Sequence, residues 1–175
     1  MRIEFTALGP AMYLDEHLAR PFGSIPALIH VTASERPTQP ALILDGQALT
    51  YVELDRLIGQ VASSLQRDGL VPGQVVRAGG LMTPLPPSAT RQNLSAMLAN
   101  SGATTLFLDH ACARHWSTDS QAAAGLKRVW LDNSSSEATD WSSWLALDAT
   151  PSPVSPEPHW PFNLIYSSGT TGTPK

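Results

Sequence analysis

Residues 167–175 read Ser167-Ser168-Gly169-Thr170-Thr171-Gly172-Thr173-Pro174-Lys175. Five of these nine residues carry hydroxyls, two are glycines and one is a lysine. Such a set suits phosphate. Glycine permits unusual backbone angles and close approach. Successive amide N–H groups can converge on an anion. Hydroxyls donate hydrogen bonds, and a lysine ammonium adds a compact positive charge. The spacing is not that of a Walker A loop, which requires G-x-x-x-x-G-K-[ST]. Here Gly169 and Gly172 are three apart, and Pro174 precedes the lysine. Composition by itself fits a solvated Ser/Thr/Gly linker equally well.

Other candidate groups carry less. A single cysteine, Cys112, forbids an internal disulfide and offers at most one zinc ligand. It reads as a small buried or half-buried apolar residue, since a nucleophile needs a basic partner and none is legible. His110 and His115 flank it, but no second cluster supports a metal site. No metal ligand and no catalytic residue is therefore assigned. His17, His30 and His159 read as ordinary polar positions, and the five tryptophans as packing anchors.

The elements that must position the hydroxyl loop follow from pattern. Residues 1–22 show no periodicity and read as an irregular lead-in. Ile25, Leu28, Ile29 and Val31 fit one helical face over 25–33. Ala41–Leu44 and Gln47–Thr50, separated by Asp45-Gly46, form a hairpin pattern. Thr50 with Glu53 makes a capping box for a helix over about 51–68, with an apolar stripe at Leu54, Leu57, Ile58, Val61 and Leu65. Gly69 offers a left-handed terminus. A strand should begin at Val75-Val76 and stop at Arg77-Ala78-Gly79-Gly80. Leu81–Leu85 is a further apolar run, ended by Pro86-Pro87. A second helix is expected over about 90–100, with Leu94, Met97 and Leu98 inward and Gly102 ending it. Strands are expected at 104–108 and 128–131, with a short helical piece at 111–116 or 121–124. Residues 133–161, rich in Ser and Pro, read as a surface connection rather than core, anchored by Trp141 and Trp144. Phe162–Tyr166 reads as a buried strand leading directly into the loop. The alternation of strands and helices favours a parallel sheet with covering helices.

Composition sets the class. The chain has 175 residues, 11 Lys+Arg against 15 Asp+Glu, and a formal charge of −4. That balance argues against nucleic acid as a partner, which needs clustered cations. No run approaches the roughly 20 apolar residues of a membrane-spanning helix. Met1 to Phe22 has no apolar h-region and does not read as a secretory signal. A reducing cytoplasm is the expected setting. No repeat of about 20–50 residues is present, so a solenoid is not expected.

The string Tyr166 to Lys175 resembles the phosphate-loop signature of the adenylate-forming superfamily, which includes acyl-CoA synthetases, nonribosomal peptide adenylation domains and luciferases. Upstream segments are similar to other family segments: Leu49-Thr50-Tyr51-Val52-Glu53-Leu54, Gly69 to Val76, Arg77 to Leu85, and Leu98 to Ala103. The resemblance covers about residues 24–175. It implies an α/β fold, the incomplete N-terminal portion of a doubly wound, mostly parallel sheet with covering helices, with one partial domain over 23–175 and the phosphate loop at 166–175. It implies ATP, Mg2+ and coenzyme A as cofactors and a small-molecule carboxylic acid as substrate. A carboxylate would attack the α-phosphate of ATP, and a thiol would then take the acyl group. Ser167, Ser168, Gly169, Thr170, Thr171, Gly172, Thr173 and Lys175 would cradle the leaving phosphates.

Two departures from the family pattern shape the expectation. The sequence stops at Lys175, ahead of the family's later adenine, acyl and magnesium regions. A strand–helix unit common in the family is also missing between Val76 and Arg77. The chain therefore reads as a truncated, internally deleted member. It is expected to be inactive alone in acyl-adenylate formation and able to self-associate through uncovered sheet edges. An acid–thiol ligase of acyl-CoA synthetase type is the first reading, and a non-catalytic remnant of such an enzyme is the alternative.

Overall fold

A computed structural model of the chain describes residues 19, 23–70, 82–86, 89–113, 125–132, 139–155, 157–161 and 163–166. The expected lead-in at 1–22 falls outside them apart from residue 19. The strand at Val75-Val76, its break at Arg77–Gly80 and the alternative helical piece at 121–124 also lie outside the described residues, and with them the point of the inferred deletion.

Helix α1 spans Ile25–Glu35. Ser24 caps it, its Oγ accepting the Ala27 N–H at 3.3 Å, and Pro26 occupies the first turn, where a missing N–H has no cost. Its inner face is centred on Ala33. The expected apolar face does not extend to Ile25, which is 73% exposed at the open first turn. The hairpin pairs β1, Pro40–Leu44, with β2, Gln47–Thr50, in antiparallel register. Asp45 and Gly46 both adopt left-handed angles, φ 49° and 78°. This is the turn that Asp-Gly favours, because its twist matches that of the strands. Leu42, Ile43 and Leu44 are exposed.

Helix α2 runs Tyr51–Arg67 with the capping box fully formed. Thr50 Oγ1 accepts the Glu53 N–H at 3.4 Å, and Glu53 Oε2 accepts the Thr50 N–H at 2.8 Å. At the other end Gly69, φ 88°, donates to Gln66 O and Leu70 donates to Leu65 O, each at 3.0 Å. These two bonds are the Schellman pattern, which satisfies carbonyls that a helix end leaves open.

The most enclosed side of α2 is Gly59, Ala62, Ser63, Ser64 and Leu65. The expected stripe at Leu54, Leu57, Ile58 and Val61 is only half-buried. The reason is the neighbour. Residues 144–152 pass along the serine side and bind its polar atoms. Ser64 Oγ accepts the Ala146 N–H at 2.8 Å, Ser63 Oγ donates to Ala149 O at 3.1 Å, and Gln60 Nε2 donates to Leu147 O at 3.1 Å. Gln66 exchanges two bonds with the Ser152 backbone, and Arg67 donates to Trp144 O at 2.9 Å.

Helix α3 spans Arg91–Ser101 between a Thr90 cap and Gly102 at φ 63°. Leu94, Met97 and Leu98 are its buried residues, as their spacing implies. Strand β3 is Thr105–Leu108, followed by a single helical turn, α4, at His110–Ala113. Strand β4 is Lys127–Trp130. Strands β3 and β4 pair in parallel, Leu106 opposite Arg128 and Leu108 opposite Trp130.

The expectation of a surface connection over 133–161, anchored by Trp141 and Trp144 but outside the core, is corrected at 139–144. Thr139–Asp140 forms a third strand, β5, parallel to β4, and Trp141–Trp144 forms a helical turn, α5. Ser and Pro content misled here because the core-forming part is short and flanked by exposed chain. Trp144 is 1% exposed and Val129 0%, and both pack with Ala62 and Leu65 in one cluster. The Phe107 ring meets Trp144 edge-on at 5.1 Å between centroids. The sheet order is β3-β4-β5, all parallel, with α2 and α5 on the Val129 face. This is an α/β arrangement with a parallel sheet.

Candidate functional site: the stem of the hydroxyl loop

The residues that lead into the loop are held at two points. Asn163 makes a parallel bridge with Met82, and the Leu164 N–H donates to Met82 O at 2.9 Å. Among the described residues 163–166, the expected buried strand over 162–166 is corrected to this one bridge. Ile165 is 71% exposed. In the facing run, the described residues 82–85 likewise supply one bridging residue rather than a strand. The run meets Pro86-Pro87, and proline has no N–H to offer a ladder.

The second point is Tyr166. Its hydroxyl lies 3.0 Å from Met97 O and 2.8 Å from Asn100 Oδ1, both on α3. A phenol has one proton, so it donates to one of these and accepts at the other. With the Asn100 amide turned to present Nδ2, the hydroxyl donates to Met97 O and accepts from Asn100, and both contacts are satisfied. The peptide bond after Tyr166 begins the loop. Ser167, Ser168, Gly169, Thr170, Thr171, Gly172, Thr173 and Lys175 lie outside the described residues.

Sequence reasoning missed Met82, Met97 and Asn100 as partners of the stem. The available signal was a tyrosine at the last position of an apolar run, where a hydroxyl needs a partner if it turns inward.

Beyond the stem, the candidate groups resolve into structural roles. Cys112 is exposed, which corrects the expectation of a buried or half-buried residue. Its turn is held by Asp109, whose Oδ1 accepts the Cys112 N–H at 2.7 Å, and the thiol is left on the outer side. The hydrogen bond from the thiol to the Asp109 carboxylate pushes the cysteine pKa up. That is the reverse of nucleophile activation. His110 uses its backbone N–H on Asp132 Oδ2 at 2.7 Å, and His115 lies outside the described residues. Among the described residues no group of three His, Cys, Asp or Glu side chains is arranged to hold a metal. His30 Nδ1 meets Asp55 Oδ2 at 2.9 Å, which ties α1 to α2. No helix among the described residues is long and apolar enough to cross a membrane.

Comparison with known proteins follows the same lines. Residues 75–175 match the profile of the family described as AMP-binding enzyme. A linear gramicidin synthase of Brevibacillus parabrevis is 31% identical over 165 residues, 82% of this chain and 2% of that protein. The fatty acid–acyl-carrier-protein ligase ScoC of Streptomyces coeruleorubidus is 29% identical over 163 residues, 82% of this chain and 30% of that protein. Among solved structures, the anthranilate CoA ligase AuaEII in complex with anthranoyl-AMP superposes with a TM-score of 0.76 at 15% identity. That match covers 92% of this chain and 35% of the other. Mycobacterium smegmatis MbtA superposes with a TM-score of 0.71 at 23% identity, over 95% of this chain and 36% of the other. The chain thus spans 30% or less of these two curated relatives. The structural likeness establishes the fold.

Proposed function

The chain belongs to the AMP-binding enzyme family, and from that premise we propose that it is the N-terminal portion of an ATP-dependent carboxylate-activating ligase. The observation that carries the reading is the match that runs from residue 75 through the loop at 167–175. Five hydroxyls and one ammonium in nine residues form a donor set for phosphate oxygens. That set contains no carboxylate, so magnesium would arrive on the nucleotide's own phosphates.

In this reading Ser167 to Lys175 hold the β- and γ-phosphates. A carboxylate oxygen of the substrate bonds to the α-phosphorus, the bond from that phosphorus to the bridging oxygen breaks, and pyrophosphate leaves. The loop's part would be electrostatic: its donors would meet the charge that develops on the departing oxygens. A thiol sulfur then bonds to the acyl carbon, and AMP leaves. We take coenzyme A as the thiol and a small carboxylic acid as the substrate, in a cytoplasmic setting. The CoA ligase in the structural comparison supports that choice, and the ligase named for an acyl-carrier protein supports a carrier thiol instead.

Titration of the 175-residue chain with MgATP and with inorganic tripolyphosphate, by calorimetry, tests the reading. Both are expected to bind, and Lys175→Ala is expected to weaken both by about tenfold or more, the scale of a charge-assisted hydrogen bond. No binding of either probe, or binding indifferent to Lys175, overturns the phosphate assignment.

A further inference from the structure

We infer that Tyr166 is a positioning residue for the phosphate-binding segment: its hydroxyl, fastened to α3, fixes the point from which Ser167 departs. The inference rests on the function proposed above. Tyr166 is one peptide bond from the first hydroxyl of the loop. Between the Asn163 bridge and Tyr166, Leu164 is half-buried and Ile165 exposed, so packing holds this stretch only on one side. Hydrogen bonds supply the rest of its hold. One is the Leu164 N–H to Met82 O, and the others are the Tyr166 contacts to Met97 and Asn100.

The surface that receives the hydroxyl is fixed at both ends. Thr90 caps the start of α3, and Leu94, Met97 and Leu98 bury its inner side. At its end Ser101 Oγ donates to Leu98 O at 3.0 Å and accepts the Ala103 N–H at 3.3 Å. The α3 backbone that carries Asn100 and the Met97 carbonyl is therefore held independently of the tyrosine. Placement matters for a loop whose work is to present donors to phosphate oxygens, because a displacement of about 1 Å can cost on the order of 100-fold in such chemistry.

The test compares the whole 175-residue chain with Tyr166→Phe, Asn100→Leu, Asn100→Asp and the Phe/Leu double variant. Three measurements are made on each: the thermal melt, amide hydrogen exchange, and calorimetric titration with inorganic tripolyphosphate. Tyr166→Phe and Asn100→Leu are expected to melt with the wild type. In both, exchange should rise about three- to tenfold at 167–173 and stay unchanged at 94–98, and tripolyphosphate affinity should fall by a similar factor. Asn100→Asp replaces the donor with an acceptor, so the one phenol proton can serve only one of its two partners, and the variant should be weakened in the same direction as Asn100→Leu. The double variant should be no worse than either single change, since the two side chains act as one contact. Unchanged exchange at 167–173 in both single variants overturns the inference. So does exchange that rises equally along α3, which would make the contact a general brace. A wild-type chain that binds no tripolyphosphate overturns the phosphate reading, and the exchange comparison still decides the anchor.

Discussion

Trp144 Nε1 donates to Asp68 Oδ2 at 2.7 Å, joining two residues 76 positions apart in the chain. The other oxygen of the same carboxylate meets Lys127 Nζ at 2.7 Å and Arg67 Nε at 3.2 Å. Asp68 thus links the end of α2, the start of β4 and the largest core side chain, and its own side chain is 9% exposed. Burial alone raises its pKa. The bonds from Lys127, Trp144 and Arg67 outweigh burial, and the carboxyl lies below the ordinary aspartate value. A group depressed in the folded state gives stability that is present above its unfolded pKa and is lost as pH falls through the folded value. Wild type should therefore lose stability as pH falls below about 4. Asp68→Asn should be less stable at pH 7, by about 1–3 kcal/mol. It should also have a flatter acid limb in melts followed by circular dichroism. Parallel acid limbs would contradict this account.

The capping box makes a separable contribution. Thr50→Ala removes the oxygen that accepts the Glu53 N–H and is expected to destabilise by about 1 kcal/mol in urea melts. Thr50→Ser keeps that oxygen and should lie close to wild type. A loss under about 0.3 kcal/mol for the alanine variant would show that tertiary contacts alone hold the start of α2.

Gly102 isolates the energetics of backbone conformation. A Cβ built there meets nothing within 4 Å, so only its φ of 63° opposes substitution. Gly102→Ala should cost about 1–2 kcal/mol, and Gly102→Asn clearly less, because asparagine tolerates left-handed angles. Equal costs would point to a lost contact instead.

Cys112 should react slowly with a disulfide reagent at pH 7 although it is exposed, because the Asp109 carboxylate favours the protonated thiol. Asp109→Asn keeps an oxygen for the Cys112 N–H and removes the charge. Stopped-flow rates should then rise, with the pH midpoint of reaction moving down. An unchanged midpoint would detach the thiol from Asp109.

Local chemistry was readable wherever one residue type meets one backbone need. Asp45-Gly46, Thr50 with Glu53, Gly69 and Gly102 mark turns and helix ends that the structure forms. The parallel sheet was readable from the alternation of elements. What stayed hidden depends on distant partners. Nothing near Ser63 or Ser64 announces that residues 146–149 will bind their hydroxyls. Thr139-Asp140 is too short to show a strand period, and its pairing comes from β4. The apolar run at 162–166 suggested burial, but among the described residues its bridging partner is Met82 alone. The hydroxyl loop itself was legible as residue types, and its tie to α3 through Tyr166 was not.

The serine side of α2 also sets an order of events during synthesis. Its partners at 144–152 lie roughly 80 residues later in the chain. At about 5–20 residues per second, a ribosome needs on the order of 4–16 s to supply them. Throughout that interval Ala62, Ser63, Ser64 and Leu65 face solvent or whatever protects a nascent chain. Most helical stability in proteins comes from packing, which α2 lacks until then, so the capping box and the Schellman turn matter most in that interval. They hold α2 in shape locally until residues 144–152 arrive to cover it.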